Sequence, residues 1–241
     1  MKIVFIRHGD PNYELDALTE KGILEAKALI PRVEKMNADY YYVSPLGRAR
    51  QTAQIAMERI DKEAKVLDWL REFPAVVEHI CEPNPGPQCW DWMPSDWAKE
   101  PSFYDIDHFY DHPVMKNGHV KEIYEDVLNH FDALLKKHGY AKNGKTFDVL
   151  KANHDTLCFF CHFGIECVLL SYLINVSPMI LWHGFVASTS SVTIVNTEER
   201  QKGIASFRIS HFGDTSHLDA SGLEPSFSAR FCECYSDDTR H

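Results

Sequence analysis

Nowhere does the chain carry an apolar run approaching the roughly 20 residues that cross a bilayer, so no membrane-spanning helix is expected. It has no basic surplus either. Lysine and arginine number 25 against 35 aspartates and glutamates, a net charge of −10. That balance argues against nucleic acid or an anionic membrane as a bulk partner. No internal repeat is visible, which removes the stacked-repeat architectures. No leader is expected, because Met1-Lys2 passes straight into the first apolar run; a cytoplasmic location is the expectation. The seven cysteines are odd in number, and Cys158, Cys161 and Cys167 fall in or beside predicted buried elements. Reduced thiols account for them more simply than a disulfide framework.

What the chain does have is a core. Of 241 residues, 44% are hydrophobic and 25% charged, the balance of an ordinary globule. One α/β domain over residues 1–241 is expected, with an insertion at 73–117. Strands are predicted at 2–7, 38–43, 65–69, 156–161, 191–195 and 204–210. Helices are predicted at 17–35, 45–60, 118–137 and 163–175. Alternating strands and helices imply a mainly parallel sheet with helices on both faces. The tail after Asp214 is polar and serine-rich and is expected to be loosely ordered.

Three strand ends carry the chemistry. Ile3-Val4-Phe5-Ile6 runs into Arg7-His8-Gly9-Asp10. Tyr40-Tyr41-Tyr42-Val43 runs into Ser44-Pro45-Leu46-Gly47-Arg48-Ala49, where Pro45 suits a first helical turn. Leu157 to Cys161 ends on His162-Phe163-Gly164. In an α/β fold, ligands gather where strands end at their C-termini. Arg48 would sit near a helix N-terminus, whose N–H groups and dipole favour anions. Two arginines and two histidines converging at one sheet edge make a phosphate pocket.

These motifs, in this order, resemble the histidine phosphatase superfamily, also called phosphoglycerate mutase-like. The resemblance spans about residues 1–72 and 145–215. Residues 73–117 match nothing in it. It implies a phosphoglycerate mutase-like fold and a metal-independent, acid-type phosphatase, a phosphoric monoester hydrolase needing no cofactor. The expected partner is a small-molecule phosphomonoester. His8 is assigned as the nucleophile that becomes phosphohistidine. Arg7, Arg48 and His162 are assigned to the phosphate oxygens, whose charge they balance through the transition state. In the family a glutamate just after the third strand is the proton donor, and Glu72 matches that position. Its two tasks conflict: an acid needs a raised pKa, while Arg7 and Arg48 pull it down.

The chain departs from the pattern in places. Asp10 stands where many members carry Glu, Ser or Gln, and is the alternative acid; Asn12 is a secondary candidate near the ligand. Phe163 follows His162 where the family often has glycine, but its backbone N–H can still bind phosphate. The family's mutases carry a Ser and a Trp-Asn soon after Arg-His-Gly, and this chain reads Asp10-Pro11-Asn12-Tyr13. A phosphoglycerate mutase-type isomerase is thus the alternative enzyme. A non-catalytic phosphate- or phosphoprotein-binding module is the other reading.

Further motifs have plainer readings. Cys158-Phe159-Phe160-Cys161-His162 spells a c-type haem attachment, yet it reads better as a buried strand ending on the phosphate-site histidine. His108 and His112 have a zinc-like spacing that Pro113 would cut short. Cys232 and Cys234 lack a second pair. Arg50 reads as a solvated helix residue and His183 as a cap or core residue. The insertion holds eight acids against Lys99 and Lys116, plus Trp90, Trp92, Trp97, Phe103, Tyr104, Phe109 and Tyr110. It is either a lid favouring aromatic or cationic leaving groups, or a subdomain packed by its aromatics.

Overall fold

The computed structural model describes residues 1–228 and 234–236. In chain order the elements are β1 (Lys2–Arg7), β2 (Pro11–Asn12), β3 (Ala17–Leu18), α1 (Glu20–Ala28), α2 (Ile30–Met36), β4 (Tyr40–Val43), α3 (Gly47–Ala56) and β5 (Lys65–Val66). Residues 73–117, the expected insertion, follow, with short helices α4 (Pro94–Trp97) and α5 (Pro113–Asn117) and three 3₁₀ turns in and just before them. The chain then runs through α6 (Val120–Lys137), β6 (Tyr140–Asn143), β7 (Thr146–Val149), β8 (Thr156–Cys161), α7 (Phe163–Ile174), α8 (Pro178–Gly184), β9 (Val192–Gln201), β10 (Ile204–Asp214) and α9 (Ser216–Ala220).

The central sheet has the order β5-β4-β8-β1-β9-β10-β7-β6. Strands β5, β4, β8 and β1 are mutually parallel, and this half carries the site. The remaining strands extend it antiparallel. β1 and β8 are the buried centre: Ile3–Ile6 and Leu157–Cys161 are all fully buried. Alternation along each strand sends side chains to opposite faces. Val4, Ile6, Cys158 and Phe160 meet Leu29, Val33, Ala49 and Ala53 from α1–α3 on one face. Phe5 and Phe159 meet Phe131, Trp182 and the insertion's Phe103 and Phe109 on the other.

Several boundaries differ from the sequence expectation. The helix expected at 17–35 is two. Thr19 caps α1 by accepting the Gly22 N–H, so Ala17–Leu18 stay extended as β3. α1 then gives way to α2 at Leu29, because Pro31 has no N–H to continue the ladder. The strand expected at 65–69 stops at Val66 and becomes a 3₁₀ turn, Asp68–Leu70. The β6–β7 hairpin and α8 are additional. The tail is more ordered than expected: in α9, Leu218 is fully buried and His217 nearly so.

Other motifs resolve too. Cys158 and Cys161 point to opposite faces of the sheet, so they cannot grip one haem. His112 caps α5, accepting the Val114 N–H at 3.3 Å, while exposed His108 pairs with Asp111. Among the described residues no cluster of His, Cys, Asp and Glu could hold a metal. Cys232 lies outside the described residues. No described helix is long and apolar enough to cross a membrane.

Candidate active site

Register brings the three strand ends level. Arg7 lies opposite Cys161, and Val43 opposite Phe160. The backbone pairing continues one step past the strands, with the His8 N–H on Cys161 O and the Ser44 N–H on Phe160 O, both at 3.0 Å. His8, Ser44 and His162 therefore leave the sheet side by side. The turn after His8 is tight: a Cβ on Gly9 would lie 2.7 Å from the Gly22 carbonyl oxygen, so only glycine fits. Thr52 of α3 holds the Gly9 N–H at 3.0 Å.

His8 is almost fully buried, and its Nδ1 lies 2.8 Å from its neighbour's carbonyl, Gly9 O. A carbonyl only accepts, so Nδ1 carries the proton and Nε2 keeps its lone pair. Nε2 has no hydrogen-bond partner among the described residues. Burial, then the charges of Arg7 and Arg48, hold the His8 pKa well below its usual value. The imidazole is neutral, the form a nucleophile needs. The His162 ring lies 5.0 Å from that of His8, centre to centre. Its Nε2 is 2.7 Å from Ser44 Oγ, and its buried Nδ1 has no partner among the described residues. Burial, then His8 and the two arginines, also push its pKa well down. At neutral pH His162 thus offers a hydrogen bond rather than a charge; an arriving dianion would shift it back towards protonation.

The two arginines are aimed by their neighbours. Arg7 donates from Nη1 to Ala187 O at 2.5 Å, and its guanidinium lies 5.9 Å from the Phe163 ring centre. Arg48 pairs with Asp16 at 2.6 Å beneath the Tyr13 ring. The Nε of each arginine is buried without a partner among the described residues. Both side chains open into a cleft of about 550 Å³ that Glu72, Tyr13, Phe163 and Trp90 also line. The carboxyl of Glu72 is fixed by Oε1, which accepts the Phe73 N–H at 3.0 Å and the Ile165 N–H at 3.1 Å. Desolvation outweighs those two bonds and the pull of Arg7 and Arg48, so its pKa is raised. The conflict expected from sequence falls on the side an acid requires.

A sequence model of the histidine phosphatase superfamily (branch 1) matches residues 3–210. The chain belongs to that superfamily. Solved structures that share its fold include several phosphatases. The phosphoserine phosphatase of Entamoeba histolytica in complex with 3-phosphoglyceric acid shares 21% identity at a TM-score of 0.58, over 90% of this chain and 98% of that one. The α-ribazole phosphatase of Shigella flexneri shares 17% at 0.56, over 89% and 97%. No curated protein matches the chain by sequence.

Within this family member the structure brings together Arg7, His8, Arg48, Glu72, His162 and Phe163. It does not bring in Asp10 or Asn12. The Asp10 carboxylate accepts from the Thr19 hydroxyl at 2.6 Å and from the Ser226 hydroxyl, and it does not line the cleft. Thr19 and Ser226 thus engage one oxygen each, whereas Glu72 lines the cleft. Asn12 instead accepts the Leu15 N–H at 3.1 Å, closing a turn. Arg50 is exposed, as expected. His183 accepts the Trp92 N–H at 3.2 Å and stacks on Trp97, tying α8 to the insertion.

Sequence reading missed three supporting groups. Ser44 was legible only as a helix-start residue. Glu25 is fully buried and takes the Asp10 N–H at 2.8 Å, the Thr189 hydroxyl at 3.0 Å and the Ser226 N–H at 3.2 Å. Glu166, one turn after His162, is buried, and its Oε1 has no partner among the described residues. Burial pushes it up to about 7, against the pull of Thr193 and Arg7. A lone acid inside the apolar run 163–174 was the signal available.

Proposed function

We propose that the protein hydrolyses a small phosphomonoester through a phosphohistidine, without a metal. The observation that carries this reading is the bare, neutral Nε2 of His8 within reach of the charges of Arg7 and Arg48, which share a cleft with the pKa-raised Glu72. His8 Nε2 attacks phosphorus, and the phosphorus–nitrogen bond forms as the ester oxygen departs. Glu72 gives its proton to that oxygen. The resulting carboxylate takes a proton from water, whose oxygen attacks phosphorus. The phosphorus–nitrogen bond breaks, His8 regains its lone pair, and Glu72 is again protonated. Arg7, Arg48, His162 and the N-terminal backbone of α7 at Phe163 balance the phosphoryl charge throughout.

A mutase would need cations for a second anionic group, and the cleft lining offers none beyond Arg7 and Arg48. A pure binding module would have no use for a desolvated acid. The test is p-nitrophenyl phosphate hydrolysis between about pH 5 and 7 in EDTA, wild type beside His8→Ala. Wild-type turnover with an inactive variant is expected, along with acid-labile phosphate on quenched wild type. Full activity in His8→Ala would overturn the assignment.

A further inference from the structure

A cleft of about 550 Å³ is far larger than a phosphate group, so much of it serves the alcohol half of the substrate. The insertion contributes to that part, and its aromatics divide. Trp92, Phe103 and Phe109 are buried and pack the subdomain, whereas Trp90 reaches the cleft, braced by Phe73 and Trp182 at 6.3 and 6.2 Å between ring centres. Of the insertion's eight acids, Asp91 alone lines the cleft.

We infer that Trp90 and Asp91 select a leaving group carrying a cationic centre, a protonated or quaternary amine, on a short apolar body. This rests on the phosphatase reading above. The Asp91 carboxylate is half-buried and has no hydrogen-bond or ion-pair partner among the described residues. Burial raises its pKa, with His79 pulling the other way. Phosphate would claim Arg7 and Arg48, leaving the outer cleft no cation to meet a second anion. A ligand cation would both neutralise Asp91 and rest on the negative face of an indole, the best aromatic partner for it. Tyr13 and Phe163 supply further apolar wall. A substrate with a second carboxylate or phosphate would instead meet Asp91 with like charge.

The test compares three esters: phosphocholine, its uncharged isostere 3,3-dimethylbutyl phosphate, and 3-phosphoglycerate, with p-nitrophenyl phosphate as reference. For wild type, kcat/KM is expected to be about tenfold or more higher for phosphocholine than for the isostere, and lowest for 3-phosphoglycerate. Asp91→Asn is expected to bring the choline-to-isostere ratio close to one. A wild-type ratio near one, or a preference that survives Asp91→Asn, overturns the inference while p-nitrophenyl phosphate hydrolysis leaves the phosphatase reading standing. Failure on every ester including p-nitrophenyl phosphate removes the reading and the inference with it.

Discussion

Replacing Glu166 by glutamine should leave stability little changed near pH 4.5 and raise it above about pH 7. In the unfolded chain the carboxyl titrates at its usual value, 4.5; in the folded protein burial moves it to about 7. Because the folded value is the higher one, the group's favourable contribution is whole below 4.5 and is lost as pH rises through 7. At 1.36 kcal/mol per pH step, the interval corresponds to about 3 kcal/mol. Glutamine keeps the shape and carries no charge at any pH, so it escapes that loss. Glu25 and Glu72 are also raised, and His8 and His162 lowered, so the wild-type curve alone mixes several titrations. Those groups are present in both proteins and largely cancel in the difference. The assay is urea unfolding at constant ionic strength from about pH 4.5 to 8. The variant's advantage should grow across that range to about 3 kcal/mol. A difference that is flat with pH, or a variant less stable than wild type at pH 8, would refute the reasoning.

Two further outcomes probe the acid. Glu72→Gln should lower kcat for an alkyl phosphate by roughly 10²–10⁴-fold. In the phosphorylation step, read as the pre-steady-state burst of released alcohol or phenol, the loss on p-nitrophenyl phosphate should be far smaller, since nitrophenolate leaves without a proton; equal losses in that step on both esters would contradict a proton-donor role. Gly164→Ala would put a Cβ 2.8 Å from Glu72 Oε1 and 3.4 Å from Trp90, while Phe73 and Ile165 hold that oxygen in place. Alkyl-ester kcat should fall about tenfold or more from misplacement of the acid, with binding of inorganic phosphate retained; unchanged kcat would show that the carboxyl is free to shift.

Where residues lie on buried parallel strands, the chain announces them. Both faces of such strands are covered, so Ile3–Ile6 and Leu157–Cys161 read as unbroken apolar runs, and the polar residue ending each run marks the ligand edge. Arg7, His8 and His162 were legible for that reason, and Arg48 from the strand–Ser–Pro–helix pattern. The antiparallel flank was harder. The β6–β7 hairpin is half exposed and its apolar signal weak, though Asn143-Gly144 is a turn pair that marks it. The α1–α2 break turned on one proline.

The identity of the acids was in the sequence; their direction was not. Asp10 sits two residues from the nucleophile and faces away, because a hydroxyl 216 positions later, on Ser226, and one from Thr19 draw its carboxylate off the cleft. Glu72 and Asp91 sit far along the chain and face in. Local pattern determined which residues end the strands, since burial is read off period and composition. Which carboxyl gains a raised pKa and a view of the phosphate site depends on desolvation and on hydrogen bonds between distant segments, and those exist only once the chain has closed on itself.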